Sequence, residues 1–257
     1  MRRRADSVRP AVLVIAGSDS SGGAGLARDL RVLAQLAVDG LCAVTAVTAQ
    51  SDGRVTAVHH VPPAMVRAQI EAAFETRAVD AIKIGMLGNR ACVEAVAASV
   101  GMQPAIPVVL DPVLSSSSGG VLLDEGGITA LKERLLPRAT IATPNLPEAA
   151  VLLGEDPPAD DAALVAQARR IVELGAQAVL LKGGHGAREE AVDWLVARGR
   201  PAERLASPRV RATLRGTGCA LASAIACGLA RGEPLLEACR AAKALVLAQL
   251  RAVAADH

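Results

Sequence analysis

The densest chemistry in the chain lies in Arg215-Gly216-Thr217-Gly218-Cys219. Two glycines flanking a threonine let the backbone turn sharply enough for successive N–H groups to converge. Leu221, Ala224, Ile225 and Gly228 follow at helical spacing. The turn therefore opens a helix, whose unpaired N–H groups and positive dipole end draw an anion, most naturally phosphate. Cys219 is the first reactive side chain over that point. A helix N-terminus, or a neighbouring cation such as Arg215, is expected to lower its pKa. An anion cradle with a proton acceptor beside it is equipment for phosphoryl transfer. Glycine turns and lone cysteines are common, so the segment carries weight only with support elsewhere.

That support comes from residues at the ends of apolar runs. Ala11–Ala16 is a continuous apolar run, as in a strand buried on both faces, and it ends in the loop Gly17-Ser-Asp-Ser-Ser-Gly-Gly-Ala-Gly25 before a helix through Leu26, Leu30 and Leu33. Asp19 is the loop's one charge, suited to capping it or to touching a ligand. The run from Leu41 delivers Gln50, whose carboxamide suits an aminopyrimidine edge. Ala81–Gly88 places Met86 on the same rim, and Pro107–Asp111 ends in a carboxylate fit for a magnesium or phosphate site. Val113–Leu122 is a Ser-Gly loop suited to act as a lid. Asn145 and Glu148 sit three apart at a helix start, fitting both a capping pair and a pair that orients hydrated magnesium. Ala178–Lys182 ends in a lysine able to reach a nucleotide phosphate, followed by Gly183-Gly-His185.

Strands alternate with helices through most of the chain, which predicts a mostly parallel sheet covered on both faces. Val55–Val61 reads as a short strand or a connection, and His59-His60 as loop or surface residues. Glu190–Val196 and Arg204–Ser207 alternate like antiparallel edge strands. Residues 1–10 are expected to be a flexible tail and 11–257 a single domain, with no internal repeat.

Composition narrows the function. One Phe, one Trp and no Tyr leave no stacking platforms for single-stranded nucleic acid, and a net charge of +2 implies no polyanion partner. Five cysteines without a CxxC read as reduced thiols in a cytoplasmic protein. No window approaches eighteen uninterrupted apolar residues, so no membrane span is expected.

Taken in order, IAGSDSSGGAGL (15–26), TAVTAQ (45–50), KIGML (83–87), LDPV (110–113), TPNLPEAAVLLG (143–154), LLKGGH (180–185) and GTGC (216–219) resemble the hydroxymethylpyrimidine/phosphomethylpyrimidine kinases of thiamine synthesis. The resemblance spans nearly the whole chain. It implies a ribokinase-like three-layer α/β/α sandwich that moves the γ-phosphate of ATP to 4-amino-5-hydroxymethyl-2-methylpyrimidine, to its monophosphate, or to both. Gln50 would hold the pyrimidine's amino edge, with Gly17, Asp19, Ala24, Met86 and Val113 shaping the pocket. Asp111 and Glu148 would manage magnesium, while Lys182, Asn145 and Arg215 would serve ATP. Gly216, Thr217 and Gly218 would form the anion hole and Cys219 would take the hydroxyl proton. The family also suggests a homodimer and, in some relatives, a monovalent cation.

The chain departs from the family pattern at the mouth of this site. Arg215 replaces a usual histidine, Ala220 a usual threonine, and Ser51-Asp52 a usual Asn-Thr, while Ser115-Ser-Ser-Ser-Gly-Gly120 lacks a usual lysine. The alternatives are a pyridoxal kinase of the same subfamily and a non-catalytic pyrimidine-binding regulator. The two-cysteine arrangement of the former is missing, because Leu114–Ser118 holds no cysteine. A dehydrogenase reading fails because no GxGxxG follows the first strand.

Overall fold

The computed structural model describes residues 9–51, 53–116, 119–156, 160–183 and 189–255. Most of the expected tail, Asp52, Ser117, Ser118 and His185 lie outside these. The first described residues are already engaged: Pro10 O accepts from Asp39 N at 2.9 Å.

β1 (Ala11–Asp19) is the expected doubly buried strand, with Ala11 to Ala16 fully inaccessible. It pairs in parallel with β2 (Asp39–Gln50) on one side and β4 (Ala81–Ile84) on the other. The parallel run continues through β5 (Val108–Leu110), β6 (Ile141–Ala142) and β7 (Ala178–Lys182). Antiparallel strands finish both edges: β3 (Val55–His60) beyond β2, and β8 (Glu190–Ala197) with β9 (Glu203–Pro208) beyond β7. All nine form one sheet in the order β3-β2-β1-β4-β5-β6-β7-β8-β9.

Successive side chains on a strand point to opposite faces, so the sheet divides its apolar residues between two cores. Leu13, Ile15, Ile82 and Ile84 pack with α2 (Pro63–Thr76), α3 (Arg90–Gly101) and α6 (Asp161–Glu173). Val12, Val14, Ala16 and Leu180 pack with α1 (Gly25–Gln35), α7 (Thr217–Ala230) and α8 (Leu235–Ala255) on the other side. The chain leaves β1 for β2 on one side and returns to β4 on the other. The carboxyl ends of β1 and β4 therefore flank a crevice, the usual ligand position in such sheets.

His59 and His60 are exposed, as read, and Val55–Val61 takes the short-strand alternative as β3. Two local expectations change. No element was legible between the lid and Thr140, yet α4 (Glu125–Ala130) lies there, followed by a π-helical turn at Leu131–Leu135. Gly126 and Gly127 weaken helix propensity, but burial of Leu131 and Leu135 and the Asp124 cap on Gly127 N overcome it. In α1 the buried stripe is Leu26, Asp29, Val32 and Leu33, so a carboxylate occupies a core position.

Candidate active site

One cleft of about 700 Å³ opens along the carboxyl ends of the parallel strands. Every residue nominated from sequence lines it. Gly17, Asp19 and Ala24 come from the glycine loop, Gln50 from the end of β2, and Met86 from just past β4. Asp111 and Val113 follow β5, Asn145 and Glu148 begin α5 (Leu146–Leu153), Lys182 ends β7, and Arg215 to Cys219 enter α7.

At one end the glycine loop is drawn tight. A side chain at Gly17 would put its Cβ 2.8 Å from Met86 Sδ, so the glycine leaves room for the methionine, which would otherwise have to shift. Asp19 caps the loop. Its Oδ1 accepts from Ser21 N and Oγ at 2.9 and 2.8 Å, and its Oδ2 from Ala24 N at 2.9 Å. Arg215 reaches the same carboxylate at 3.2 Å, and also donates to Ser21 Oγ and Ser51 O at 2.9 and 3.1 Å. Its guanidinium therefore ties the turn before α7 to the glycine loop. Gln50 Oε1 accepts only a long 3.4 Å bond from Thr48 Oγ1.

At the other end Lys182 Nζ donates to Asp111 Oδ1 at 3.0 Å, and Thr143 Oγ1 donates to the same oxygen at 3.1 Å. Both bonds use Oδ1, while Oδ2 lies toward Gly218. Burial would raise the Asp111 carboxyl, but the charges of Lys182 and Lys83 outweigh it and hold it below its ordinary value. Asn145 and Glu148 form the capping box, each side chain accepting from the other's backbone N–H at 2.8 Å. Burial pushes Glu148 up to about 7, against the pull of Lys182 and with the help of the Asp111 charge.

Gly216 begins α7 at φ +69°, and a Cβ there would lie 2.3 Å from Gly23 O, so backbone angle and space both demand glycine. A Cβ on Gly218 would lie 3.1 Å from Lys182 Nζ, so the glycine lets the ammonium approach the helix start. The backbone N–H of Gly25, the first residue of α1, is among the groups that draw the Cys219 thiol down. The expected lowering of its pKa is not found. Burial pushes the thiol up to about 11, with Lys83 the strongest cation drawing it down. Arg215, the cation expected in that role, is occupied with Asp19.

Sequence reading passed over Lys83. It lines the cleft, is wholly inaccessible, and pairs with the equally inaccessible Asp29 at 2.7 Å. The signal was present, since Lys83 is the only charge in an otherwise apolar strand. An arm of the cleft formed by Asp193 on β8 and Lys243, Val246 and Leu250 on α8 was also missed, although those α8 positions share one helical face.

Among the described residues no helix is long and apolar enough to cross a membrane. The family model for phosphomethylpyrimidine kinase matches residues 19–256. A hydroxymethylpyrimidine/phosphomethylpyrimidine kinase of Rhizobium meliloti is 44% identical over 241 residues, covering 93% of this chain and 90% of that one. The thiamine biosynthesis bifunctional protein ThiED of Geobacter sulfurreducens is 44% identical over 250 residues; the match takes in 97% of this chain but spans only 51% of that longer protein. Among solved structures, an ADP complex of Bacillus subtilis pyridoxal kinase superposes with a TM-score of 0.84 at 35% identity, covering 92% of this chain and 90% of that one. With a family match running through the glycine loop, the Lys83–Asp29 and Lys182–Asp111 pairs and the α7 turn, this chain belongs to the phosphomethylpyrimidine kinase family.

Proposed function

We propose that the protein uses ATP to phosphorylate 4-amino-5-hydroxymethyl-2-methylpyrimidine, its monophosphate, or both, in the making of thiamine diphosphate. The observation that carries this reading is the meeting of Gln50, Lys182 and the Gly216–Cys219 turn in one cleft. The names of the sequence relatives agree with it. In this reading Gln50, with a carboxamide only weakly held, takes the aminopyrimidine edge, while Gly17, Asp19, Ala24, Met86 and Val113 frame the ring. The polar and apolar arm at Asp193, Lys243, Val246 and Leu250 receives the nucleotide base.

The reaction moves one phosphoryl group. In the first phosphorylation the acceptor hydroxyl gives its proton to the Cys219 thiolate, and its oxygen bonds to the γ-phosphorus as the bond to the β-phosphate oxygen breaks. Lys182 faces the charge that builds on the phosphates, with Asn145 beside it. The backbone N–H groups of 216–218 meet the transferring oxygens, where preorganised donors act most strongly. Arg215, expected among the ATP-binding residues although it departs from the family pattern, serves by holding the turn against the glycine loop.

Asp111 and Glu148 fit a hydrated magnesium ion. Two carboxylates meet at the phosphate end, and Asp111 Oδ2 is used by neither Lys182 nor Thr143. Among the described residues no three His, Cys, Asp or Glu groups form a cage. That suits an ion that relies on one or two carboxylates plus substrate phosphates. Bound magnesium would neutralise phosphate charge. We further propose the finer architecture as a ribokinase-like three-layer α/β/α sandwich, one domain over 11–257, working as a cytoplasmic homodimer without a nucleic-acid partner and with room for a monovalent cation.

Product mass after incubation with ATP, magnesium and the aminopyrimidine tests the activity, with pyridoxal run alongside because of the pyridoxal kinase neighbour. The expected products are the mono- and diphosphate; a strong pyridoxal preference overturns the substrate. Cys219→Ala is expected to lose most turnover while both ligands still bind, and undiminished turnover removes Cys219 from the mechanism.

A further inference from the structure

Lys83 and Asp29 form a wholly dry ion pair, which is rarely the cheapest way to fill a core. Apolar residues of the same volume are often neutral or more stabilising at such a place. The pair's surroundings are specific. Ile82 and Ile84 face the opposite core, so Lys83 points between α1 and α7. Its Nζ donates to Asp29 Oδ2 at 2.7 Å, and Asp29 Oδ1 accepts from Ser223 Oγ at 2.8 Å. Ser223 lies one helical turn after Cys219 on α7. A Cβ on Gly85 would come within 2.7 Å of Nζ, so the ammonium is boxed in from the sheet side as well. Although buried, Lys83 borders the same cleft as Cys219.

We propose that Lys83, fixed by Asp29 and Ser223, is a positioning residue that sets a positive charge beneath the Cys219 sulfur and so makes the cysteine a usable base. The inference rests on Cys219 being the proton acceptor. The charged groups that bear on Cys219 are Lys83 on β4, Asp29 and Arg28 on α1, Asp111 after β5 and Lys182 on β7. Asp29 and Asp111 oppose the anion, and Arg215 is turned away to Asp19. Lys182 is shared with Asp111 and faces the phosphates. Arg28 is drawn to Gln249 on α8, and Lys83 is the cation that acts most strongly on this sulfur, held by groups that substrates do not touch.

The test measures the alkylation rate of Cys219 by iodoacetamide against pH, without nucleotide, in a Cys42→Ser background, because Cys42 is exposed and Cys92, Cys227 and Cys239 are buried. Lys83→Met is expected to slow alkylation about tenfold at fixed pH by raising the thiol's apparent pKa about one unit. It is also expected to lower kcat near neutral pH, with recovery at alkaline pH, while KM for ATP and for the aminopyrimidine changes by less than about threefold. Lys83→Arg, which keeps the charge, restores most of both. If Lys83→Met does not fold, Lys83→Gln, whose amide can still donate to Asp29, is read in its place. An alkylation profile identical to the parent's overturns the inference. Failure of the base reading looks different: Cys219→Ala keeps its turnover, whatever Lys83 does to the thiol.

Discussion

Two lysine–aspartate pairs bear on the same cysteine, and they differ in contact with water. Lys83–Asp29 is inaccessible on both sides, whereas Lys182–Asp111 leaves 14% of the lysine side chain exposed at the lip. The dry pair spends its bonds internally, through Ser223. The lip pair shares one carboxylate oxygen with Thr143 and leaves the other over the cleft. Similar chemistry thus suits two jobs: the first pair holds a fixed charge, while the second, in the proposed reaction, opens toward a phosphate. Breaking each pair should therefore register on a different scale.

The largest effect belongs to the dry pair. Asp29→Ala strands a buried ammonium and is expected to cost about 3–5 kcal/mol of folding stability, read as the urea midpoint. A loss below about 1 kcal/mol would mean that water reaches Lys83 and that the two pairs are alike. Next comes Lys182→Met, expected to lower kcat about 10²–10³-fold, about 3–4 kcal/mol of transition-state stabilisation, with an unfolding midpoint close to the parent's. Destabilisation as large as that of Asp29→Ala would make Lys182 structural and erase the contrast.

Glu148 sharpens the comparison because it reports on the lip pair. Its folded pKa of about 7 stands above its ordinary value of 4.5. The folded state therefore holds the proton more tightly, and this stabilisation is complete below about pH 4.5 and lost as pH rises through about 7. Ligand-free protein should lose on the order of 2–3 kcal/mol over that window through this group. Glu148→Gln should flatten the slope of melting temperature against pH. In the Lys182→Met background, where the opposing pull is gone, the window should move to higher pH. No movement would show that Lys182 and Glu148 do not interact.

The frame and the rim were legible because they rest on local signals. Apolar runs ended in Gly17, Gln50, Asp111 and Lys182, and a parallel sheet brings such ends to one side, so all of them reached one cleft. What stayed hidden depends on distant partners. Asp29 and Lys83 are 54 residues apart, and Asp29 and Ser223 are 194 apart. On α1 the leucine spacing concealed that Asp29, rather than Leu30, faces the sheet. The Cys219 pKa was misjudged for a similar reason. A helix start was readable, but the burial that raises the thiol depends on packing that the local sequence does not show. The helix at Glu125–Ala130 was lost because its glycines speak against a helix, which is held by the Asp124 cap and by tertiary packing.

The finest probe of the two pairs is a glycine beside each lysine. A Cβ on Gly218 would sit 3.1 Å from Lys182 Nζ and 3.9 Å from Asp111 Oδ2; one on Gly85 would sit 2.7 Å from Lys83 Nζ and 3.3 Å from Ala16 Cβ. Neither glycine has a positive φ, so alanine strains neither backbone. At the lip, the end of Lys182 can swing a few tenths of an ångström into the cleft. Gly218→Ala should therefore fold as well as the parent and lose activity about tenfold, or about 1.4 kcal/mol, because the ammonium no longer meets the phosphates. Beside the dry pair there is nowhere to swing. Gly85→Ala must push Lys83 against Asp29 or spread β1 from β4, so it should cost about 1–3 kcal/mol of stability. Measuring kcat and urea midpoint for both variants gives a crossed pattern if the pairs differ as described. Parallel losses in both variants would mean that hydration is not what separates them.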